Sequence, residues 1–200
     1  MVKPPSPEQI AALDQFHHQY GTTLHAWGRV EQIFCIWFQR ITGMPPKMGR
    51  RVFYSSRNWQ GRSEMLISAM SAKQMAPDVA CILRTALKRA RSYYGFRNSL
   101  AHGDPIFDPR PGAAPNSIII VEGRDPSDEI SSAITIEDLQ RANLNFNNLH
   151  GCVERLLEVP AGTLPTLLET LHQQVLLLPN MPNEEAPSTP KQHKQPRPQR

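Results

Sequence analysis

The sequence predicts a mainly α-helical fold (all-α in class) with one small β element. Apolar residues recur every three or four positions over long segments, which is the spacing of a helix that buries one face. Capping residues precede several of these segments, and glycine or proline follows them. One run rich in β-branched residues, 117–121, predicts a strand. We therefore predict an antiparallel bundle of four to five helices with a small β insertion near 117–121.

The first helix begins at a clear N-terminal signal. Ser6 is a suitable N-cap, Pro7 suits the first helical position, and Gln9 completes a capping box. Apolar side chains then follow at helical spacing as far as Gly43, where we expect the helix to end. Glycine has poor helix propensity, so Gly21 is a candidate position for a break or kink.

The segment after the first helix is basic and irregular. Residues 44–62 combine five basic side chains with three aromatic ones, and we predict regular structure only beyond them, in a second helix over about 63–74. Trp59 lies among the arginines and has two interpretations. Its indole stacks on nucleic-acid bases, or it fills the edge of the core.

Three more helices are predicted. One begins at Pro77 and ends before Gly103, and the next begins at the N-cap Thr135 and ends at Pro160. A short amphipathic helix follows over 164–178. Together with the two helices above, these three segments give the predicted bundle of four to five helices.

One folded domain is expected over 1–178. Residues 179–200 contain six of the nineteen prolines and almost no large apolar side chain. Such a composition cannot bury enough surface to offset the entropy of ordering, so we predict a disordered, basic, proline-rich tail.

Composition disfavours several protein classes. No apolar run is long enough to span a bilayer, and the N-terminus lacks a secretory signal, so we expect neither a membrane protein nor a secreted one. Cys35, Cys81 and Cys152 are far apart and odd in number, which indicates free thiols in a reducing, cytoplasmic compartment. Histidines and cysteines lack metal-ligand spacing, so neither a metal nor a cofactor is expected.

Charge is distributed unevenly along the chain. The net charge is only +4, yet residues 32–103 hold twelve basic and two acidic side chains, whereas 104–178 hold four basic and eleven acidic ones. Such asymmetry favours a surface that faces a polyanion. A charged surface that is merely solvated, or one that docks an acidic protein partner, remains an alternative.

The most informative motif lies at the end of the third predicted helix. Arg97 and Asn98 are followed by His102 and then by Gly103. Asn98 and His102 are four residues apart and share a helix face. A helix C-terminus stabilises an imidazolium, so this histidine is suited to proton transfer, and Arg97 offers a bidentate fork for phosphate.

Arg97 itself points elsewhere on an ideal helix. It lies about 140° from His102, on the apolar side. Two explanations stay open: Arg97 is structural and pairs with a carboxylate, for which Glu31 is the natural candidate, or the last turn unwinds and the long side chain reaches round.

A basic stripe leads along the same helix to His102. Arg84, Lys88 and Arg91 lie within about 40° of His102 on a helical projection. A phosphate backbone could follow these side chains, and we predict that they bind RNA. The alternative is a solvated helix face.

The segment from Arg97 to His102 resembles the R-x4-H motif of the HEPN superfamily of small helical domains. The resemblance covers about residues 8–158 and implies metal-independent cleavage of single-stranded RNA by attack of the 2′-hydroxyl. It implies that His102 is the general acid/base, that Arg97 stabilises the charged phosphorane, and that Asn98 orients His102 or the phosphate. It also implies a homodimer with a composite cleft and, for toxin or phage-defence members, an antitoxin protein. The alternative is a non-catalytic HEPN-like module that binds nucleotide, RNA or protein.

Overall fold

A computed structural model describes residues 4–121, 133–159, 165–179 and 181. Within these residues the chain forms six helices and one two-stranded sheet, which confirms the mainly helical class. The elements in chain order are α1 (Pro7–Thr42), α2 (Pro46–Phe53), α3 (Trp59–Ala72), α4 (Pro77–His102), β1 (Asp104–Phe107), β2 (Ile118–Val121), α5 (Ile136–Glu158) and α6 (Pro165–Leu176).

Helix α1 forms as its caps predict, and it is continuous. Ser6 accepts from the backbone N–H of Gln9 while the Gln9 side chain accepts from the backbone N–H of Ser6, and Gly43 ends the helix in a left-handed conformation. The break considered at Gly21 was wrong. One glycine costs about 1 kcal/mol, and the apolar stripe of α1, which is buried on both sides of Gly21, offsets that cost.

The expectation of irregular structure over 44–62 was also wrong. This segment contains α2 and the first turn of α3, whose N-cap Asn58 accepts from the N–H of Gly61. Phe53 and Trp59 are both 1% exposed and pack into the core. Burial of these two rings stabilises both short helices, because most helical stability in proteins comes from tertiary packing.

The long helices pack in alternating directions in chain order. Tyr20 of α1 bonds to the carbonyl of Leu100, and Trp27 packs on Tyr94, so α1 and α4 are antiparallel. Helices α1 and α5 share the most extensive interface and run parallel, because Thr23 Oγ1 donates to the carbonyl of Leu139 and the indole N–H of Trp37 donates to that of Val153. The aromatic core therefore lies between α1, α4 and α5.

The strand predicted at 117–121 is confirmed, and it belongs to a hairpin. Strands β1 and β2 are antiparallel, with Asp104 opposite Val121 and Phe107 opposite Ile118. All four residues of β2 are buried, so the hairpin covers the end of the bundle directly after α4. Strand β1 begins two residues after His102.

The packed part of the chain reaches beyond the boundary predicted at residue 178. The hydroxyl of Tyr93 donates to the carbonyl of Pro179, and Met181 is 3% exposed and contacts Asn145. The rest of the predicted tail lies outside the described residues. None of the described helices has the length and apolar character that crossing a membrane requires.

Candidate active site

The end of α4 is fixed by close packing against the hairpin. His102 is the last residue of α4 and is exposed. Gly103 turns into extended backbone and its N–H bonds to the carbonyl of Ser99. A Cβ at Gly103 would lie 2.2 Å from Cγ2 of Ile120, so only glycine allows the hairpin to approach this closely. The imidazole is thus carried on a rigid helix end.

A tyrosine from α1 supports the same turn. The hydroxyl of Tyr20 donates to the carbonyl oxygen of Leu100 at 3.0 Å. That carbonyl is among the last four of the helix, which have no partner within the helix. Tyr20 in turn stacks on Phe16 with ring centroids 6.3 Å apart. Tyr20 follows Phe16 at helical spacing, but the sequence carries no signal for its hydrogen bond, which joins residues eighty positions apart.

Arg97 and Asn98 form a hydrogen-bonded pair one turn before His102. Nη1 of Arg97 donates to Oδ1 of Asn98 at 3.2 Å, and both side chains are half-buried. Asn98 lies about 40° from His102 on the helix. The bond therefore holds the guanidinium toward the Asn98 and His102 face, although the Cα of Arg97 projects elsewhere. The helix does not unwind here, and it is the side chain that reaches round.

Glu31 does not support Arg97. Its Oε1 pairs with Nη1 of Arg62 at 2.6 Å, and the two side chains are 20% and 14% exposed. The contact of Trp27 with Tyr94 places Glu31 near the level of residue 90, about 10 Å along the axis from Arg97. The expected pairing of Glu31 with Arg97 was therefore wrong, because the register of α1 on α4 separates the two residues.

The basic stripe is exposed and borders a groove. Arg84, Lys88 and Arg91 are all exposed on α4. A groove of about 440 Å³ runs beside Lys88 and Arg91 toward the C-terminal turns of the helix, past Ser92 and Ser99. Its described lining contains no carboxylate.

Two features of the groove suit an anion. Ser92 lines the groove, and its buried Oγ is a donor without a hydrogen-bond partner among the described residues. A Cβ added to Gly95 would meet no described atom within 4 Å, which leaves the backbone open to approach. The groove lies on the face of α4 that carries His102.

Trp59 does not belong to this surface. Its ring is 1% exposed and packs edge-on against Trp27 and Phe34, each at a centroid distance of 5.4 Å. A buried indole cannot stack on a base, so the interpretation as a core residue is confirmed.

Metal ligation and similarity to known proteins give no further assignment. The described ranges contain no group of three or more His, Cys, Asp or Glu side chains placed to hold a metal ion. Comparison with known proteins finds no matching family model, no similar curated protein and no similar solved structure.

Proposed function

We propose that this chain is a metal-independent endoribonuclease of HEPN type that cleaves single-stranded RNA. The observation that carries the proposal is the exposed His102 one helical turn from the hydrogen-bonded Arg97 and Asn98. An imidazole for proton transfer and a guanidinium for anionic charge are the groups that phosphodiester cleavage by a 2′-hydroxyl needs.

The reaction assigns one task to each side chain. The 2′-oxygen loses its proton and bonds to the adjacent phosphorus, and the 5′-oxygen leaves and takes up a proton. The products are a 2′,3′-cyclic phosphate and a 5′-hydroxyl. His102 moves protons, the guanidinium of Arg97 stabilises charge on the phosphorane, and the amide N–H groups of Asn98 position a phosphate oxygen.

A homodimer completes this chemistry. Removing one proton and supplying another in the same step requires a base and an acid, whereas each chain offers one His102. A second copy across a two-fold axis supplies the second imidazole. The groove beside Lys88 and Arg91 would then guide the RNA backbone toward the cleft, and an antitoxin protein would inhibit the enzyme by covering that surface.

The test is cleavage of a labelled single-stranded RNA by the full chain in EDTA. His102→Ala is expected to lower the rate by about 100-fold or more, and Arg97→Ala by a similar factor. His25→Ala, at an exposed histidine on α1, is the matched control and should retain the rate. Circular dichroism establishes that each variant is folded. Unchanged cleavage by His102→Ala would refute the assignment.

The groove also favours a second candidate, a module that binds RNA without cleaving it. In that case the wild-type chain gives no product but retains salt-sensitive binding. Lys88→Glu and Arg91→Glu should then weaken binding and reduce the dependence of log K on log salt by about 0.7 per lost phosphate contact. Absence of both cleavage and binding would exclude both candidates and favour a surface that docks an acidic protein.

A further inference from the structure

A cysteine and a histidine from distant parts of the chain meet between α4 and α6. Sγ of Cys81 lies 3.9 Å from Nε2 of His172, and Cys81 is exposed. We propose that Cys81 and His172 form a thiol-exchange site that reacts with low-molecular-weight disulfides, with a preference for cationic ones. The product is a mixed disulfide on Cys81.

The two helices hold this pair in a defined register. Helix α6 runs parallel to α4, because Arg89 bonds to the carbonyl of Leu176 and Tyr93 bonds to that of Pro179. Arg89 and Tyr93 follow Cys81 along α4, and their partners likewise follow His172 along the chain. The imidazole is therefore positioned by the packing of α6 and is half-buried against α4.

Thr85 contacts both members of the pair. Its hydroxyl donates to the carbonyl of Cys81 at 3.0 Å, and its Oγ1 lies 3.3 Å from Nε2 of His172. With the ring proton on Nδ1, Nε2 accepts the proton of the Cys81 thiol. Once Nε2 carries that proton, Oγ1 of Thr85 accepts a hydrogen bond from it, because the hydroxyl proton is already engaged elsewhere. Thr85 thus helps to hold the ring beside the thiol.

The surrounding cavity indicates the kind of disulfide. It has a volume of about 620 Å³, enough for a small molecule, and it opens to solvent beside Cys81. Among the described residues, its acidic lining is Asp78 from α4 and Glu169 from α6, and the Glu169 carboxylate accepts from Gln173 at 2.7 Å. Two carboxylates attract a cationic disulfide and repel an anionic one.

The exchange step balances without any further reactant. Sγ of Cys81 attacks one sulfur of the disulfide as its proton passes to Nε2 of His172. The new S–S bond forms, the old one breaks, and the released thiolate takes the proton back from the imidazole. No electron acceptor other than the disulfide itself is needed.

Cys81 differs in accessibility from the other two cysteines. Cys35 and Cys152 are 2% and 4% exposed, and burial raises the pKa of the Cys35 thiol. Neither is accessible to resolve a mixed disulfide on Cys81, so an external thiol must reverse the modification. His102 lies twenty-one residues further along α4, about 30 Å away. The proposed thiol site can therefore be tested independently of the proposed ribonuclease.

The experiment follows exchange of the full chain with dithiodipyridine, a neutral disulfide that releases an absorbing product. One equivalent of thiol should react rapidly, and Cys81→Ser should abolish this phase while Cys152→Ser retains it. His172→Gln should slow the phase about tenfold or more at neutral pH. Thr85→Val should slow it to a smaller extent. A rapid phase that survives Cys81→Ser, or one unaffected by His172→Gln in a folded variant, would overturn the proposal.

Charge selectivity is measured with cystamine and glutathione disulfide. Cystamine, which is cationic, is expected to modify Cys81 several-fold faster than glutathione disulfide, as read from the intact mass. Glu169→Gln should reduce that ratio, and added salt should reduce it too. Equal rates for the two disulfides at low salt would contradict the role assigned to the carboxylates.

Discussion

Replacement of Trp59 separates a core role from a nucleic-acid-binding role. The indole packs against Trp27, Phe34 and Tyr94, at centroid distances of 5.4, 5.4 and 6.5 Å. Trp59→Ala removes a whole buried ring and should cost about 3–5 kcal/mol of unfolding free energy. Trp59→Phe leaves a cavity of about 40 Å³, which at about 24 cal/mol per Å³ costs about 1 kcal/mol, and lost transfer free energy adds a similar amount.

The indole N–H reduces the cost of the phenylalanine variant. Nε1 of Trp59 is buried without a hydrogen-bond partner among the described residues, and phenylalanine removes that desolvated donor. Relief of about 1–3 kcal/mol offsets the cavity, so Trp59→Phe should change stability by about 1 kcal/mol or less. Urea unfolding followed by circular dichroism measures both variants. Equal losses for Phe and Ala, or weaker RNA binding by a stable Trp59→Phe, would refute the reasoning.

Three further predictions concern ion pairing, pH and backbone packing. A double-mutant cycle of Glu31→Gln and Arg62→Met should give a coupling of about 1–2 kcal/mol, above the surface-pair range because both side chains are mostly buried; a coupling near zero would contradict the structure. Burial lowers the pKa of His150, so the contribution of His150 to stability is full above about pH 6.5 and falls as the pH drops further. His150→Gln should flatten the pH dependence of stability in urea titrations. A slope that persists in this variant would show that His150 is not its source. Gly103→Ala should cost about 1–3 kcal/mol, because its Cβ meets Ile120; an unchanged midpoint would show that the contact yields freely.

Local signals in the sequence predict the long helices well. The capping box at Ser6, the N-cap at Thr135 and the helix end at Gly43 all occur as predicted, because each depends on residues within one or two turns. Helix α2 was missed for the opposite reason. It is only eight residues long, and its stability comes from burial of Phe53 against α1, a contact with residues outside the segment.

In the candidate site, too, the sequence predicts local features but not those that depend on packing between helices. Sequence spacing placed Asn98 and His102 on one face, and the end of α4 at His102 agrees with that spacing. The partner of Arg97 could not be predicted, since choosing between Glu31 and Asn98 requires the register of α1 on α4. His172 beside Cys81 was also invisible, because ninety-one residues separate the two.

The most direct test of the proposed function uses one RNA oligonucleotide and its 2′-O-methylated counterpart, both incubated with the purified full chain in EDTA. Attack by the 2′-hydroxyl predicts that the unmodified RNA is cleaved to products ending in a 2′,3′-cyclic phosphate, while the methylated RNA stays intact. Cleavage of the methylated RNA, or cleavage that disappears when EDTA removes metal ions, would contradict a metal-independent reaction at Arg97, Asn98 and His102.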